Sequence, residues 1–263
     1  ITTVAGDGGF FFMGDNGPAY RASVAAPTGV ALDSKGNLYI ADRNNNRVRV
    51  VDRTGMIRTV VGTGQQDYNG DSEMARETNL YLPFGLTVDS NDNLLVIDRS
   101  HYRIRRIDPK SGQVETVAGN GIKLFAGDGG PATGATLSFP HGMSVDKKDN
   151  LIFSDKGHFR IRKITPEGII NTIGGNGLRG NVGDNIPALE ANFYNVTTII
   201  QNPKGDMFMA SPSGFVSLIR RFDSKGIIHD FIDTATPKYR EAISKSKYKG
   251  LVQKGAVATI TQF

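Results

Sequence analysis

Four histidines are the side chains of this 263-residue chain best suited to bind a metal ion or to transfer a proton. They are His101, His141, His158 and His229. A catalytic zinc site needs three protein ligands, several of them usually histidine. His101 and His158 share one position of a repeated pattern, whereas His141 opens a different segment. We therefore predict no catalytic residue, no metal ligand and no cofactor, and a divalent metal in a central channel stays open as an alternative.

Three aspartates each precede an arginine by five residues, and this spacing favours a structural ion pair. The pairs are Asp42 with Arg47, Asp98 with Arg103, and Asp155 with Arg160. A charge-assisted hydrogen bond across a short turn would suit such a pair. A fourth copy carries Ser211 and Leu218 at the corresponding positions, so both partners are absent together. A ring of charged ligand contacts is the alternative interpretation.

Two further sets of aspartates recur along the chain. Asp33, Asp89 and Asp146 each end a short apolar run, and we expect them to accept hydrogen bonds from the following turn. The second set lies in long connecting segments and is expected to cap a short helix, since Pro131 follows one member closely. Its members are Asp15, Asp71, Asp128 and Asp184. Cation binding is the alternative, although these segments lack the closely spaced carboxylates of a calcium loop.

One ten-residue phrase places these side chains along the sequence. It runs DSKGNLYIAD at residues 33–42 and returns at 89–98 and 146–155, with a degenerate copy at 202–211. The steps between the first aspartates are 33 to 89, which is 56 residues, and 89 to 146, which is 57. A fixed period of about fifty residues indicates stacked supersecondary units.

Each unit contains four short strands joined by turns rich in Gly, Asn and Asp. The second strand is almost wholly apolar, as in Leu94-Leu-Val-Ile97, which implies burial on both faces. Radial sheets that pack face to face would bury it in this way. We therefore predict an all-β fold, a β-propeller of four-stranded antiparallel blades forming a single domain over residues 1–263. The predicted blades cover about 27–64, 83–121, 140–177 and 195–233.

The two ends of the chain match single strands of a further unit. Residues 1–6 match an outer strand, and residues 256–262 match an inner strand. We therefore expect four full blades plus a partial closing blade. A truncated chain, with five or six blades in the intact protein, is favoured over a ring left incomplete. Residues 234–255 are interpreted as a basic connector.

Charge is concentrated at one end of the chain. The formal net charge is +5, from 31 basic and 26 acidic residues. Residues 234–263 contain six basic residues and one acidic residue, 6 − 1 = +5, which leaves 25 of each kind in residues 1–233. Because the repeat body is neutral, we expect no nucleic-acid partner. The chain has no Cys, which excludes disulfides and thiolate metal sites, and no apolar run is long enough to span a membrane.

Three segments of the first unit match the pattern P-x-G-V-A-V-D, G-N-L-Y-V-A-D and N-x-R-I-R. They are residues 27–33, 36–42 and 45–49. In this pattern the chain resembles the NHL family of β-propellers, over nearly its whole length apart from about 234–255. The connector GDGGPAT at 127–133 is similar to bacterial members of that family.

The resemblance implies a range of activities. The family includes modules that bind protein or RNA, bacterial extracellular sensor domains, and a zinc-dependent lyase. For this chain it implies a bacterial, extracytoplasmic protein, secreted or periplasmic. A shared fold is only an analogy for activity.

The connectors and the turns between second and third strands share one face of a propeller, because neighbouring strands are antiparallel. Residues that vary on a repeated rigid frame are where repeat proteins place recognition. The expected binding residues on this face are Thr28, Phe84, His141, Arg43, Arg99, Lys156, His101 and His158. A plain solvated rim is the alternative interpretation.

Two functional hypotheses remain from the sequence. The first is a non-catalytic binding scaffold that holds a protein or glycan ligand on the connector face. The alternative is a metal-assisted lyase or hydrolase acting at the mouth of the central channel. The first is favoured because no nucleophile–base order and no phosphate-binding loop stands out. The oligomeric state is left open.

Overall fold

The computed structural model describes residues 1–71, 74–202, 204–213 and 216–233. In these ranges the regular structure is four antiparallel sheets and short 3-10 helices, which confirms the predicted all-β propeller fold. The predicted basic connector at 234–255 and the predicted inner strand at 256–262 lie outside the described residues. Residues 1–6 are not paired as a strand with any described residue, so the predicted outer strand there stays a prediction.

The first two sheets are built from residues before Gly119. The first has the spatial order β1-β5-β4-β3-β2 and contains β1 (Gly17–Pro18), β2 (Val30–Leu32), β3 (Leu38–Asp42), β4 (Arg47–Val51) and β5 (Met56–Val61). The second has the order β6-β7-β8-β9 and contains β6 (Pro83–Val88), β7 (Leu94–Asp98), β8 (Arg103–Ile107) and β9 (Val114–Ala118).

The other two sheets repeat this plan. The third has the order β10-β11-β12-β13 and contains β10 (Pro140–Val145), β11 (Leu151–Asp155), β12 (Arg160–Ile164) and β13 (Ile170–Gly174). The fourth has the order β14-β18-β17-β16-β15 and contains β14 (Ile186–Pro187), β15 (Thr198–Gln201), β16 (Met207–Ser213), β17 (Val216–Phe222) and β18 (Ile227–Asp233).

The second strand of each blade carries the hydrophobic core. All five residues of β7 and of β11 are buried, as their continuous apolar runs predict. Val96 and Phe153 are completely inaccessible to solvent and pack in clusters that join side chains of two neighbouring blades. The core is therefore a series of layers between blades rather than one central cluster.

Short 3-10 helices occur in two kinds of loop. Those in the connectors are Ala19–Arg21, Ala132–Gly134 and Ala188–Glu190, and those after the second strands are Arg43–Asn45, Arg99–His101 and Lys156–His158. The predicted capping role of the connector aspartates is wrong, because Pro18, Pro131 and Pro187 stand at the N-cap positions without a side-chain hydrogen bond. Asp15 and Asp128 instead bind buried arginines.

The turn between the first and second strands forms as predicted. The carboxylate of Asp33 accepts hydrogen bonds from the backbone N–H groups of Lys35 and Asn37, at 3.0 and 2.8 Å. Asp89 and Asp146 accept the equivalent bonds in the next two blades. These bonds give the backbone N–H groups of the turn a partner within the turn itself, so each hairpin fixes the pairing of its own strands.

The innermost strands, β2, β6, β10 and β15, pack side by side in chain order. Each of the first three has a glycine, within the strand or directly before it, at which a Cβ would meet a carbonyl oxygen of the next blade. For Gly29, Gly85 and Gly142 this distance would be 2.4, 2.5 and 2.6 Å. The glycine of the repeated P-x-G motif is thus explained by the close approach of neighbouring blades.

Candidate functional site

Five side chains converge where the second-to-third strand turns meet the inner strands, and we call them the mouth cluster. They are Arg43, Arg99, Lys156, Phe84 and His141. The three cations are the first residues of the 3-10 helices that follow β3, β7 and β11. Phe84 and His141 are the second residues of β6 and β10. Three blades therefore contribute to one site.

Aromatic rings hold the mouth cluster together. The ring centroids of Phe84 and His141 are 3.9 Å apart. The guanidinium carbons of Arg43 and Arg99 lie 5.8 and 5.1 Å from the centroid of Phe84, which is cation–π distance. Arg99 also lies 5.2 Å from the ring of Phe139. The two guanidinium groups are therefore positioned by a shared ring.

Hydrogen bonds between blades fix the inner side of the mouth. The hydroxyl of Thr28 donates to the carbonyls of Pro83 and Phe84, at 3.2 and 3.3 Å. Two blades further along the chain, Nδ1 of His141 lies 2.9 Å from the carbonyl oxygen of Thr197. Because a carbonyl only accepts, His141 carries its proton on Nδ1 when it is neutral. Thr28 in blade one and His141 in blade three thus each bond the inner strand segment of the next blade.

The charges of the mouth cluster repel one another. Burial lowers the pKa of the Arg99 guanidinium, and the neighbouring charge of Arg43 lowers it further. Burial and then Arg99 lower the pKa of Lys156 in the same way. Burial lowers the pKa of His141 to about 4. The hydrogen bond to the Thr197 carbonyl opposes this effect, and the three neighbouring cations add to it. His141 is therefore neutral at pH 7, beside three positive groups.

The local backbone aims these cations at the mouth. Asp42 is completely buried and accepts hydrogen bonds from the backbone N–H of Ala25, at 2.8 Å, and from the amide of Asn45. Asn46 then takes a left-handed conformation, with φ of 52°, and leads into β4. The carboxylate thus turns inward, and Arg43, the next residue, is left half-buried at the surface. The equivalent aspartates, Asp98 and Asp155, accept the same backbone bond.

His101 and His158 both hold this turn through hydrogen bonds, and their predicted role in binding stays a prediction. Nδ1 of each lies 2.8 Å from the carboxylate of Asp98 or Asp155. Nε2 of His101 also lies 2.7 Å from the carbonyl of Gln66, so neither of its nitrogens is free. Both histidines replace Asn45, which donates to Asp42 in the first blade.

In each blade the aspartate of the predicted structural pair forms its ion pair with the arginine two residues beyond the predicted one. Asp42 Oδ2 lies 3.4 Å from Arg49 Nη1, although Cα of Asp42 is opposite Arg47. Arg47 instead donates to the carbonyls of Asn45 and Thr63. Asp98 binds Arg105 and Asp155 binds Arg162, while Arg103 and Arg160 bind carbonyls. Arg49 is completely buried, so it takes the buried carboxylate, whereas the half-buried Arg47 can use loop carbonyls.

Connector aromatics form a feature that the sequence reasoning missed. Phe12, Tyr68 and Phe125 lie over Arg47, Arg103 and Arg160, at 3.9, 3.8 and 3.8 Å from guanidinium carbon to ring centroid. They recur at steps of 56 and 57 residues, 12 to 68 and 68 to 125, which is the repeat period. That period could have revealed them. Each ring places its connector at the end of the blade that carries the second-to-third strand turns.

An apolar cavity of about 490 Å³ adjoins the mouth cluster. The inner strands line it, with Val30, Leu86, Met143 and Ile199 among the apolar side chains. Phe84 and His141 belong to both the cavity wall and the mouth cluster. A ligand at the mouth therefore meets positive charge on the outside and apolar surface on the inside.

Known proteins share this repeat. A model of the Teneurin NHL domain matches residues 12–68. Teneurin-3 of Mus musculus is 32% identical over 170 residues, which are 60% of this chain and 6% of that protein. NHL repeat-containing protein 2 of Bos taurus is 29% identical over 164 residues, which are 58% of this chain and 22% of that protein. These matches show that the repeat of this chain is similar to the NHL repeat of β-propellers. The chain spans only those small shares of these curated relatives.

Solved structures agree with this NHL propeller in fold. A Bacteroides thetaiotaomicron protein of unknown function superposes with a TM-score of 0.54 at 23% identity, covering 70% of this chain and 44% of that one. Virginiamycin B lyase from Staphylococcus aureus gives a TM-score of 0.51 at 20% identity, covering 80% and 57%. At these identities the likeness concerns the fold alone.

Two features are absent from the described part of the propeller. No three His, Asp or Glu side chains there are grouped to hold a metal ion. No helix in the same ranges has the length and apolar character needed to cross a bilayer.

Proposed function

We propose that this NHL propeller is a non-catalytic interaction module that binds a protein partner on its connector face. The family consists typically of protein-interaction scaffolds, and the supporting observation in this chain is exposed apolar surface on the connectors. Large side chains exposed there are Phe10, Phe11, Met13, Ile122, Leu124, Leu178 and Val182. Phe11 is 82% exposed and Leu124 is 69% exposed, whereas a folded chain usually buries such groups.

These side chains lie on a rigid frame. Phe12 and Phe125 anchor the first and third connectors to arginines of their blades, so Phe11 and Leu124 project from fixed neighbours. Apolar side chains rimmed by polar groups are typical of protein interfaces. The connector face combines this apolar surface with the positive mouth cluster, which supports a protein ligand over a nucleic acid.

The test uses substitutions on opposite ends of the blades. Because the chain has no Cys, the K35C variant can be coupled to a resin at a single point, on a hairpin far from the connector face. A protein that this resin retains from an extract of the source organism is identified and purified. It is then titrated into the free chain by calorimetry. Phe11→Ser and Leu124→Ser remove connector contacts, and Met56→Ser is the matched control at the other end of blade one.

We expect saturable binding that either connector substitution weakens about tenfold, as loss of one apolar contact at an interface does. Met56→Ser should change Kd by less than about twofold. The proposal is wrong if the connector variants bind as the parent does, or if no retained protein binds saturably after purification.

A further inference from the structure

The three half-buried cations of the mouth cluster differ from the fully buried arginines of the blades in their partners. Arg49 has two carboxylates, Asp15 at 2.6 Å and Asp42 at 3.4 Å. Arg43, Arg99 and Lys156 have no carboxylate within ion-pair distance in the part of the chain that the structure describes. Nε of Arg43 and of Arg99 is buried without a hydrogen-bond partner among the same residues. Buried donors left without partners destabilise the free protein.

An anion at the mouth would relieve both problems. It would accept hydrogen bonds from the arginines and would offset the mutual repulsion that, after burial, lowers the pKa of Arg99 and Lys156. Arginine is suited to this because its planar fork binds a carboxylate with two parallel hydrogen bonds. The ring of Phe84 already holds both guanidinium groups, so little ordering is required on binding.

The surroundings distinguish a peptide carboxylate from a nucleic acid. Residues 1–233 have no net charge, so the mouth cluster is a local positive spot rather than part of an extended basic stripe. Nucleic acids are usually bound along a groove that follows many phosphates. The apolar cavity beside His141 offers contacts for aliphatic side chains next to the anionic group.

We propose that the mouth cluster binds the carboxylates of an acidic peptide segment, with Arg43, Arg99 and Lys156 as its ligands. This rests on the proposed function in one respect, that the partner supplying the segment is a protein. Phe84 orders the two guanidinium groups, and His141 supplies the neutral floor of the site. The acidic segment enters from the connector face, and the apolar connector side chains contact the rest of the partner.

The experiment uses a fluorescent hexaglutamate peptide and the full chain, with binding followed by anisotropy at about 50 mM NaCl, where screening is weak. Hexaglutamine is the uncharged control peptide, and oligouridylate is the nucleic-acid control. Arg99→Gln and Lys156→Gln remove one charge each from the mouth. Arg53→Gln removes the same charge at the other end of blade one, where Arg53 lies against the hairpin at Gly36.

We expect hexaglutamate to bind and Arg99→Gln or Lys156→Gln to weaken it about tenfold, as loss of one member of a charged contact does. Arg53→Gln should change it less than about twofold. A second measurement follows the imidazole of His141 by NMR at pH 7, where hexaglutamate is fully charged and its binding at the mouth should shift the His141 resonances. That shift also keeps the test meaningful if a substitution disturbs folding.

The proposal is overturned if hexaglutamine binds equally well, if Arg53→Gln weakens binding as much as Arg99→Gln, or if the His141 resonances at pH 7 do not move. Tighter, Arg99-dependent binding of oligouridylate would overturn the peptide assignment and indicate a phosphate ligand. Hexaglutamate binding at the mouth without any partner on the connectors would contradict only the proposed function. A partner that depends on Phe11 and ignores Arg99 would contradict only this inference.

Discussion

At the scale of single residues, each blade depends on a buried arginine. Arg49, Arg105, Arg162 and Arg220 are fully or almost fully buried, and the first three each lie between a completely buried aspartate and a partly exposed one. Removing one member of such a group leaves the others charged and without water, which costs more than the group contributes when complete. The consequence is an asymmetry between positions only a few ångströms apart.

Arg105→Met should destabilise the chain by about 3–5 kcal/mol, because the buried Asp98 loses its cation. Asp71→Asn, on the 40% exposed partner of the same arginine, should cost about 1 kcal/mol or less. Urea unfolding followed by circular dichroism measures both. Equal effects of the two substitutions would show that burial does not decide the role of these carboxylates.

His141 makes stability depend on pH in a defined direction. The pKa of His141 is about 4 in the folded chain and 6.5 without the folded surroundings, so the unfolded chain binds the proton first as pH falls. The contribution is fully present above about pH 6.5 and is lost progressively down to about pH 4, in total about 3 kcal/mol.

His141→Thr is the matched test, because Thr28 makes the equivalent bond in blade one. The variant should lose that part of the acid destabilisation, measured as the free energy of unfolding at several pH values. An unchanged slope between pH 6.5 and 4 would contradict the assigned pKa.

At the scale of elements, the sequence predicted the strands because the repeat shows the same alternation in several copies. The apolar second strand and the turn aspartates followed from local rules, and Asp33 makes the predicted bonds. The convergence of Arg43, Arg99 and Lys156 on Phe84 and His141 needed the distances between blades, which a sequence does not contain. The pairing of Asp42 with Arg49 was missed because register places Arg47 opposite, whereas burial selects Arg49.

The P-x-G glycines set how closely the inner strands approach. Gly85→Ala should destabilise the chain by about 1–3 kcal/mol, because its Cβ would lie 2.5 Å from the carbonyl oxygen of His141. Gly134→Ala is the control, since a Cβ there meets nothing within 4 Å. Thermal unfolding of both variants measures the difference. Similar melting temperatures would show that neighbouring blades can separate without cost.

At the scale of the whole molecule, the main contacts between blades among the described residues join neighbouring blades through their first and second strands. Stability in such an array is the sum of blade terms and interface terms. A disturbance should therefore fade with distance along the ring.

Hydrogen exchange of Arg105→Met checks this expectation. Amides of β7 and β8 should exchange fastest relative to the parent, those of β3 and β11 less so, and those of β16 least. Uniform acceleration in all four blades would indicate a single cooperative unit instead.

The hairpins opposite the connector face give the molecule a direction. Ser34 donates through its backbone and hydroxyl to Asp92 of the next blade, at 2.9 and 2.6 Å, and Ser90 does the same to Asp149. Asp92 and Asp149 adopt positive φ to receive these bonds, whereas blade one has Gly36 at that position and offers no acceptor. Blades one and two are therefore not interchangeable. A permuted gene that placed blade one after another blade would lose the serine–aspartate hydrogen bonds that the present order provides.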